Sequence, residues 1–176
     1  MSETVIQVSS LGKRIKGKTI LEDISFEINQ GDCVALIGPN GAGKTVLMSC
    51  ILGDKKPSSG QVLIDGKAGK AKNKIAVLLQ ENTIPNSLKV SELIAFFQSI
   101  SDNPLTNQEV QELLQFKEDQ YQQFADKLSG GQRRLLAFVL CLIDKPKILF
   151  LDEPTAGMDT STRQRFWEIV NDLKKA

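Results

Sequence analysis

Eight residues, GPNGAGKT from Gly38 to Thr45, have the types and spacing to hold a chain of phosphates. Gly38, Gly41 and Gly43 let the backbone curl so that successive amides point inward at anionic oxygens, with Pro39, Asn40 and Ala42 completing the loop. A helix opening at Lys44, with Val46 in its first turn, adds the positive end of its dipole. Lys44 supplies a point charge for β- and γ-phosphates, and the Thr45 hydroxyl supplies an oxygen for Mg²⁺. The match is to G-x-x-x-x-G-K-[ST], four fixed positions that an ordinary Gly-rich turn does not need. A second run, ILFLDEPTAGMD, places Asp152 after four apolar strand residues, at the end of a strand where ligands of open parallel sheets bind. Asp152 suits the Mg²⁺ that accompanies a nucleoside triphosphate. Glu153 follows with its side chain reversed, and suits a general base for water attacking the γ-phosphate.

A third run, LSGGQRR, precedes an apolar helical stretch. Ser129 and Gln132 stand at capping-box spacing, hydroxyl and amide each satisfying an orphan backbone donor. Gly130 and Gly131 are not explained by that cap, and two glycines at a helix start are costly in backbone entropy. They imply a close approach to something. Asp159 is placed to N-cap a helix beginning near Thr160.

These residues need elements to position them. TVIQV (Thr4 to Val8) and ISFEI (Ile24 to Ile28) alternate as half-buried strands do, and QVLIDG (Gln61 to Gly66) repeats the pattern. CVALIG (Cys33 to Gly38) is a continuous apolar run and predicts a strand buried on both faces; KIAVLLQ (Lys74 to Gln80) and KILFLDE (Lys147 to Glu153) predict two more. TVLMSCIL predicts a helix that Gly53 stops. The lysine-rich stretch from Gly66 to Lys74 lacks aromatics and reads as a solvated hairpin or loop. Four stripes then follow helical spacing: Val90, Leu93, Ile94 and Phe97; Val110, Leu113 and Leu114 behind a Thr106–Glu109 capping box; Leu135, Leu136, Val139, Leu140 and Ile143; and Phe166, Ile169, Val170 and Leu173. The order predicts an α/β domain with a helical insertion.

Composition narrows the classes. Among 176 residues, 22 are basic and 21 acidic, which leaves no electrostatic footprint for nucleic acid. Apolar residues make up 41%, enough for a core, and the longest apolar run, Leu135 to Ile143, is far short of a membrane span. No basic-then-apolar leader opens the sequence. Cys33, Cys50 and Cys141 lie far apart in apolar segments and predict inert buried thiols. With 0 histidines, Ser/His and Cys/His catalysis and H-E-x-x-H zinc chemistry are excluded within these residues.

GPNGAGKT, LSGGQ, FLDEPTAGMD and a glutamine closing a strand together resemble the nucleotide-binding domain of ABC transporters, over the whole chain. The resemblance implies an α/β P-loop NTPase fold of the ABC type, with a mixed sheet core and a helical signature subdomain. It implies one domain over 1–176, with 1–86 and 145–176 as core lobe and 87–144 as signature subdomain. It implies ATP and Mg²⁺, a head-to-tail homodimer, an integral membrane permease as partner, and a place at the cytoplasmic face of the cell membrane. In such a dimer Ser129, Gly130, Gly131 and Gln132 would face the partner's nucleotide, the glycines allowing the approach. Gln80 would sense Mg²⁺ and the attacking water, Asp159 would bridge the dimer, and 81–88 would border the groove for the permease. Ile15 stands where the family stacks an aromatic residue on adenine, and an aliphatic side chain offers dispersion without ring stacking. The family's switch histidine lies on a further strand, so the resemblance reads the chain as ending before that strand. Residues 78–97 are most similar to bacterial drug exporters. The main expectation is an ATPase driving transport; the alternative is an ATP-gated dimerisation module that does not turn over.

Overall fold

Thr4 to Asn29 build a hairpin. In a computed structural model that describes residues 3–68, 75–80, 84–85 and 87–175, β1 (Thr4–Ile15) and β2 (Lys18–Asn29) pair antiparallel. They are joined through Lys16 and Gly17, both at positive φ (49° and 78°), as a two-residue hairpin whose turn must match strand twist. The strands run well past the two alternating stretches, with register shifts between Val8 and Leu11 and between Leu11 and Lys13. β3 (Ser59–Ile64) lies antiparallel on the other side of β1, Val8 opposite Val62, and turns through Asp65–Gly66 into the short β4 (Lys67–Ala68). The sheet order is β2-β1-β3-β4. Residues 69–74, the remainder of the lysine-rich stretch, lie outside the described residues.

One expectation fails in this unit. Cys33 to Gly38 form no strand, and the run is exposed, Ile37 at 90%. A strand apolar on both faces needs ladder partners and two covering layers. Among the described residues the unit's sheet is antiparallel and hairpin-built, and it provides no rung for this run. Cys33 is therefore exposed rather than buried; Cys50 is buried and Cys141 half-buried. Helix α1 (Lys44–Ile51) follows, buries Leu47, Cys50 and Ile51, and gives way to Gly53 at φ 78°.

The chain divides by contact density into Met1–Lys72 and Asn73–Ala176. In the second unit β5 (Ile75–Leu78) and β6 (Ile148–Leu151) pair parallel, Leu78 opposite Leu151. Parallel neighbours require a long crossover, supplied here by α2 (Val90–Ser99), α3 (Asn107–Leu114), α4 (Glu118–Gln122), a 3₁₀ turn (Ala125–Lys127) and α5 (Gly130–Leu142). α6 (Thr160–Leu173) follows β6. The Thr106–Glu109 box forms in both directions, 3.2 Å to the hydroxyl and 2.6 Å to the carboxylate.

The periodic stripes become the core, except that Leu173 is exposed and Phe97 and Leu113 are only partly buried against it. Val90, Leu93, Ile94, Val110, Leu114, Phe166, Ile169 and Val170 are buried in one cluster. α5 goes further than its stripe. Every residue from Arg134 to Leu140 is buried, because α5 contacts α2, α3, α6 and β5 and so has no solvent face over that length. Phe138 and Phe166 meet at its centre, ring centroids 4.5 Å apart at 51°. Phe166 is fully buried. Phe166→Ala is expected to destabilise the chain by about 3–5 kcal/mol, read as a lower urea midpoint at unchanged slope.

Candidate nucleotide site

The phosphate loop folds as the glycines require. Gly43 sits at φ 91°, and a Cβ there would fall 2.9 Å from Leu21 Cδ2 and 3.3 Å from the Ile20 carbonyl oxygen. Only glycine meets both the left-handed backbone and the contact with β2. Lys44 Nζ curls back and donates to the carbonyls of Gly38 (2.7 Å) and Pro39 (2.9 Å), closing the loop around its own charge. Gly43 precedes α1 without a side-chain cap, so the helix's first amides are not met by a capping side chain. Residues 38–42 and Thr45 are exposed. An open loop, a cation at its centre and a helix start without a side-chain cap fit a polyphosphate. Ile15 is exposed at the tip of the β1–β2 hairpin.

The second unit assembles the carboxylates and the signature. β6 ends at Leu151, and the Asp152 amide still donates to Leu78 O at 2.9 Å, holding the two strand ends together. Glu153 then turns into the left-handed region, φ 44°, a strained conformation for a residue with a side chain. Its Oε2 accepts from Gln80 Nε2 at 3.1 Å. Gln80, Asp152 and Glu153 are thus brought to one end of the β5–β6 pair. Among the described residues no cluster of three or more His, Cys, Asp or Glu side chains is placed to hold a metal.

Ser129 and Gln132 form their box: Gln132 N donates to Ser129 Oγ at 3.2 Å, and Ser129 N to Gln132 Oε1 at 3.1 Å. Both bonds use these side chains as acceptors, so the hydroxyl proton and the Gln132 amide protons are not consumed by capping. The two glycines separate here. Gly130 is exposed with nothing near its missing Cβ. Gly131 is buried, and a Cβ would lie 3.2 Å from Met158 Cα and 3.2 Å from Asp159 Oδ2. The close approach that Gly131 permits is therefore, in this chain, to its own 158–159 segment. Asp159 N-caps α6 as its position implied: Oδ1 accepts from Thr162 N (3.0 Å) and Ser161 Oγ (2.7 Å), and Oδ2 from Thr162 Oγ1 (2.8 Å). These donors hold its carboxyl far below the usual carboxylate range.

One residue of the site was missed by sequence reasoning. Arg134 is 8% exposed, and its guanidinium donates only to backbone: Nη1 to Leu79 O and to Gln80 O (3.1 Å), Nη2 to Asp152 O (2.8 Å) and Glu153 O (3.2 Å), Nε to Pro154 O (3.2 Å). Burial pulls its pKa down, while the charges of Asp152, Cys141 and Glu153 oppose that shift. A signal was available. Arg134 shares a helix face with Phe138 and Cys141 at i+4 and i+7, so a cation stands on an apolar side of α5.

Comparison with known proteins decides the family. Residues 21–156 match the family described as ABC transporter. The chain belongs to the ABC transporter family. It is similar to the Nod factor export ATP-binding protein I of Ralstonia nicotianae, 33% identical over 98% of the chain and 56% of that protein. It is also similar to the zinc import ATP-binding protein ZnuC of Rickettsia bellii, 30% identical over 99% of the chain and 73% of that protein. The chain thus spans little more than half of the first of these. Its fold is that of ABC ATP-binding domains. It superposes on an ATP-binding cassette bound to ADP and Pi in a dimeric post-hydrolysis state, TM-score 0.78 at 20% identity over 96% of this chain and 82% of that one. It also superposes on an ATP-bound bacterial Atm1-family ABC exporter, TM-score 0.81 at 23% identity over 98% of this chain and 33% of that one. Among the described residues no helix is long and apolar enough to cross a membrane.

Two measurements test this geometry. Gly131→Ala is expected to lower the denaturant midpoint, whereas Gly130→Ala leaves it unchanged or slightly raised, since Ala is the better helix former by about 1 kcal/mol. Asp159 has a depressed folded pKa, so its contribution is present above the unfolded value and lost as pH falls through the folded one. Asp159→Ala should be less stable than wild type at pH 7, and the gap between their urea midpoints should narrow below about pH 4.

Proposed function

We propose that this chain binds and hydrolyses ATP to power a membrane transporter, through head-to-tail dimerisation with a second ATP-binding domain. The observation that carries the reading is the Gln80 Nε2···Glu153 Oε2 hydrogen bond of 3.1 Å, which holds a carboxylate and a polar amide beside Asp152 at a strand end. Lys44 and the loop of 38–46 bind the phosphates, and Ile15 offers the adenine an aliphatic surface. Mg²⁺, held by Thr45, Gln80 and Asp152, would screen the phosphate charge. Glu153 takes a proton from water as the water oxygen bonds to the γ-phosphorus. The bond from that phosphorus to the β,γ-bridging oxygen breaks, and ADP leaves with the electron pair.

Ser129, Gly130, Gly131 and Gln132 of one subunit face the nucleotide of the other, their unconsumed hydroxyl and amide donors suited to γ-phosphate oxygens. Asp159 lies at the same interface. An integral membrane permease docks a short helix in a groove bordered by 81–88, of which 81–83 and 86 lie outside the described residues, and this places the chain at the cytoplasmic face of the membrane. Export is the direction proposed, from the similarity of 78–97 to drug exporters, although the relatives include import and export proteins alike.

ATP turnover measured across protein concentration tests the proposal. It should rise faster than linearly and fall at least about 10²-fold in Glu153→Gln, with ATP still bound. Lys44→Ala should lose ATP binding itself, read by fluorescent-nucleotide titration. Wild-type turnover no greater than that of Glu153→Gln, with ATP bound, would replace this reading with a dimerisation module that does not hydrolyse.

A further inference from the structure

Arg134 has a geometry that capping and core packing do not explain. A guanidinium carries five N–H donors in a rigid planar fork. All five are used here, and each goes to a main-chain carbonyl. Two of the carbonyls belong to the segment that ends β5 and three to the segment that ends β6. The acceptors include the carbonyls of Gln80 and Glu153, the two residues whose side chains meet at 3.1 Å. β5 and β6 share their last rung at Leu78–Leu151, followed only by the Asp152 N to Leu78 O bond. Beyond that point the ladder no longer sets the distance between the two segments. The Arg134 fork does.

We infer that Arg134 is a positioning residue for ATP hydrolysis: it fixes the backbones of Gln80 and Glu153 so that the amide and the carboxylate are held together. This rests on the reading of Glu153 as general base. The fork also ties that pair to the start of α5, because Arg134 stands only two residues after Gln132 of the Ser129–Gln132 cap. A displacement of the signature helix therefore reaches the base through one rigid side chain. Lysine cannot replace it, since an ammonium has three donors on a flexible stem and cannot span both segments in one plane. The left-handed backbone at Glu153 needs surroundings that over-determine it, and three of the five bonds fall on residues 152–154.

The test uses the full chain with Arg134→Lys, and Arg134→Gln as second variant should lysine prevent folding. Two readouts are taken: amide hydrogen exchange by mass spectrometry, and steady-state ATP turnover beside ATP affinity. Exchange is expected to rise in peptides covering 75–80 and 148–154 while those covering α1 and α6 keep their protection. Turnover is expected to fall about 10²-fold, as misplacement by about 1 Å does, with ATP affinity unchanged. Unchanged exchange at both segments would overturn the inference, as would raised exchange with full turnover. Exchange raised throughout the chain, with ATP affinity lost alongside turnover, would make Arg134 a stability residue only and also overturn it. A wild-type chain with no turnover defeats the hydrolytic reading; the exchange result alone then decides whether Arg134 places the pair.

Discussion

Past the last rung of a parallel ladder, carbonyl oxygens lose their partners, and a buried carbonyl without a donor costs free energy. In this chain five carbonyl oxygens beyond that rung converge on one guanidinium that is itself almost wholly buried. The guanidinium would not tolerate the interior alone. A buried cation is costly unless hydrogen-bonded throughout, and the fork of Arg134 answers that cost and the orphaned carbonyls together. None of the five bonds goes to the carboxylates of Asp152 and Glu153.

A second constraint is a backbone contact. The start of α5 and the start of α6 are both capped by their own side chains, Ser129 with Gln132 and Asp159 with Thr162. The two caps touch where Gly131 lacks a side chain, against Met158 and Asp159. Signature and the residues after β6 are therefore one packed object. Its capping bonds form within the chain itself, and they use Ser129 Oγ and Gln132 Oε1 only as acceptors. The phosphate loop shows the same economy of parts, with Lys44 parked on two loop carbonyls that a polyphosphate can replace.

Local pattern was enough for the helices, the caps and the motif residues. The stripes at Val90, Val110 and Phe166 are buried because helical periodicity and burial obey the same geometry. The boxes at Thr106 and Ser129 formed because their partners lie three residues away. Cys33 to Gly38 failed because burial of a strand is decided by neighbours, and an apolar run carries no information on whether a rung exists for it. The hairpin β1–β2 ran longer than its alternation, since bulges at Val8 to Lys13 interrupt the period that alternation relies on.

The residue types, their spacing and the family were decided by sequence alone, because phosphate binding, capping and strand-end carboxylates are local chemistry with local signatures. Three things waited for tertiary structure. Arg134 acquired its role from carbonyls more than 50 residues before it and nearly 20 after it. Gly131 acquired its reason from a loop at Met158. Gln80 and Glu153, 73 residues apart, became a pair. Each depends on which backbones come within a few ångströms, and that distance is set by the parallel strand pair and the helix packed against it rather than by any neighbouring residue.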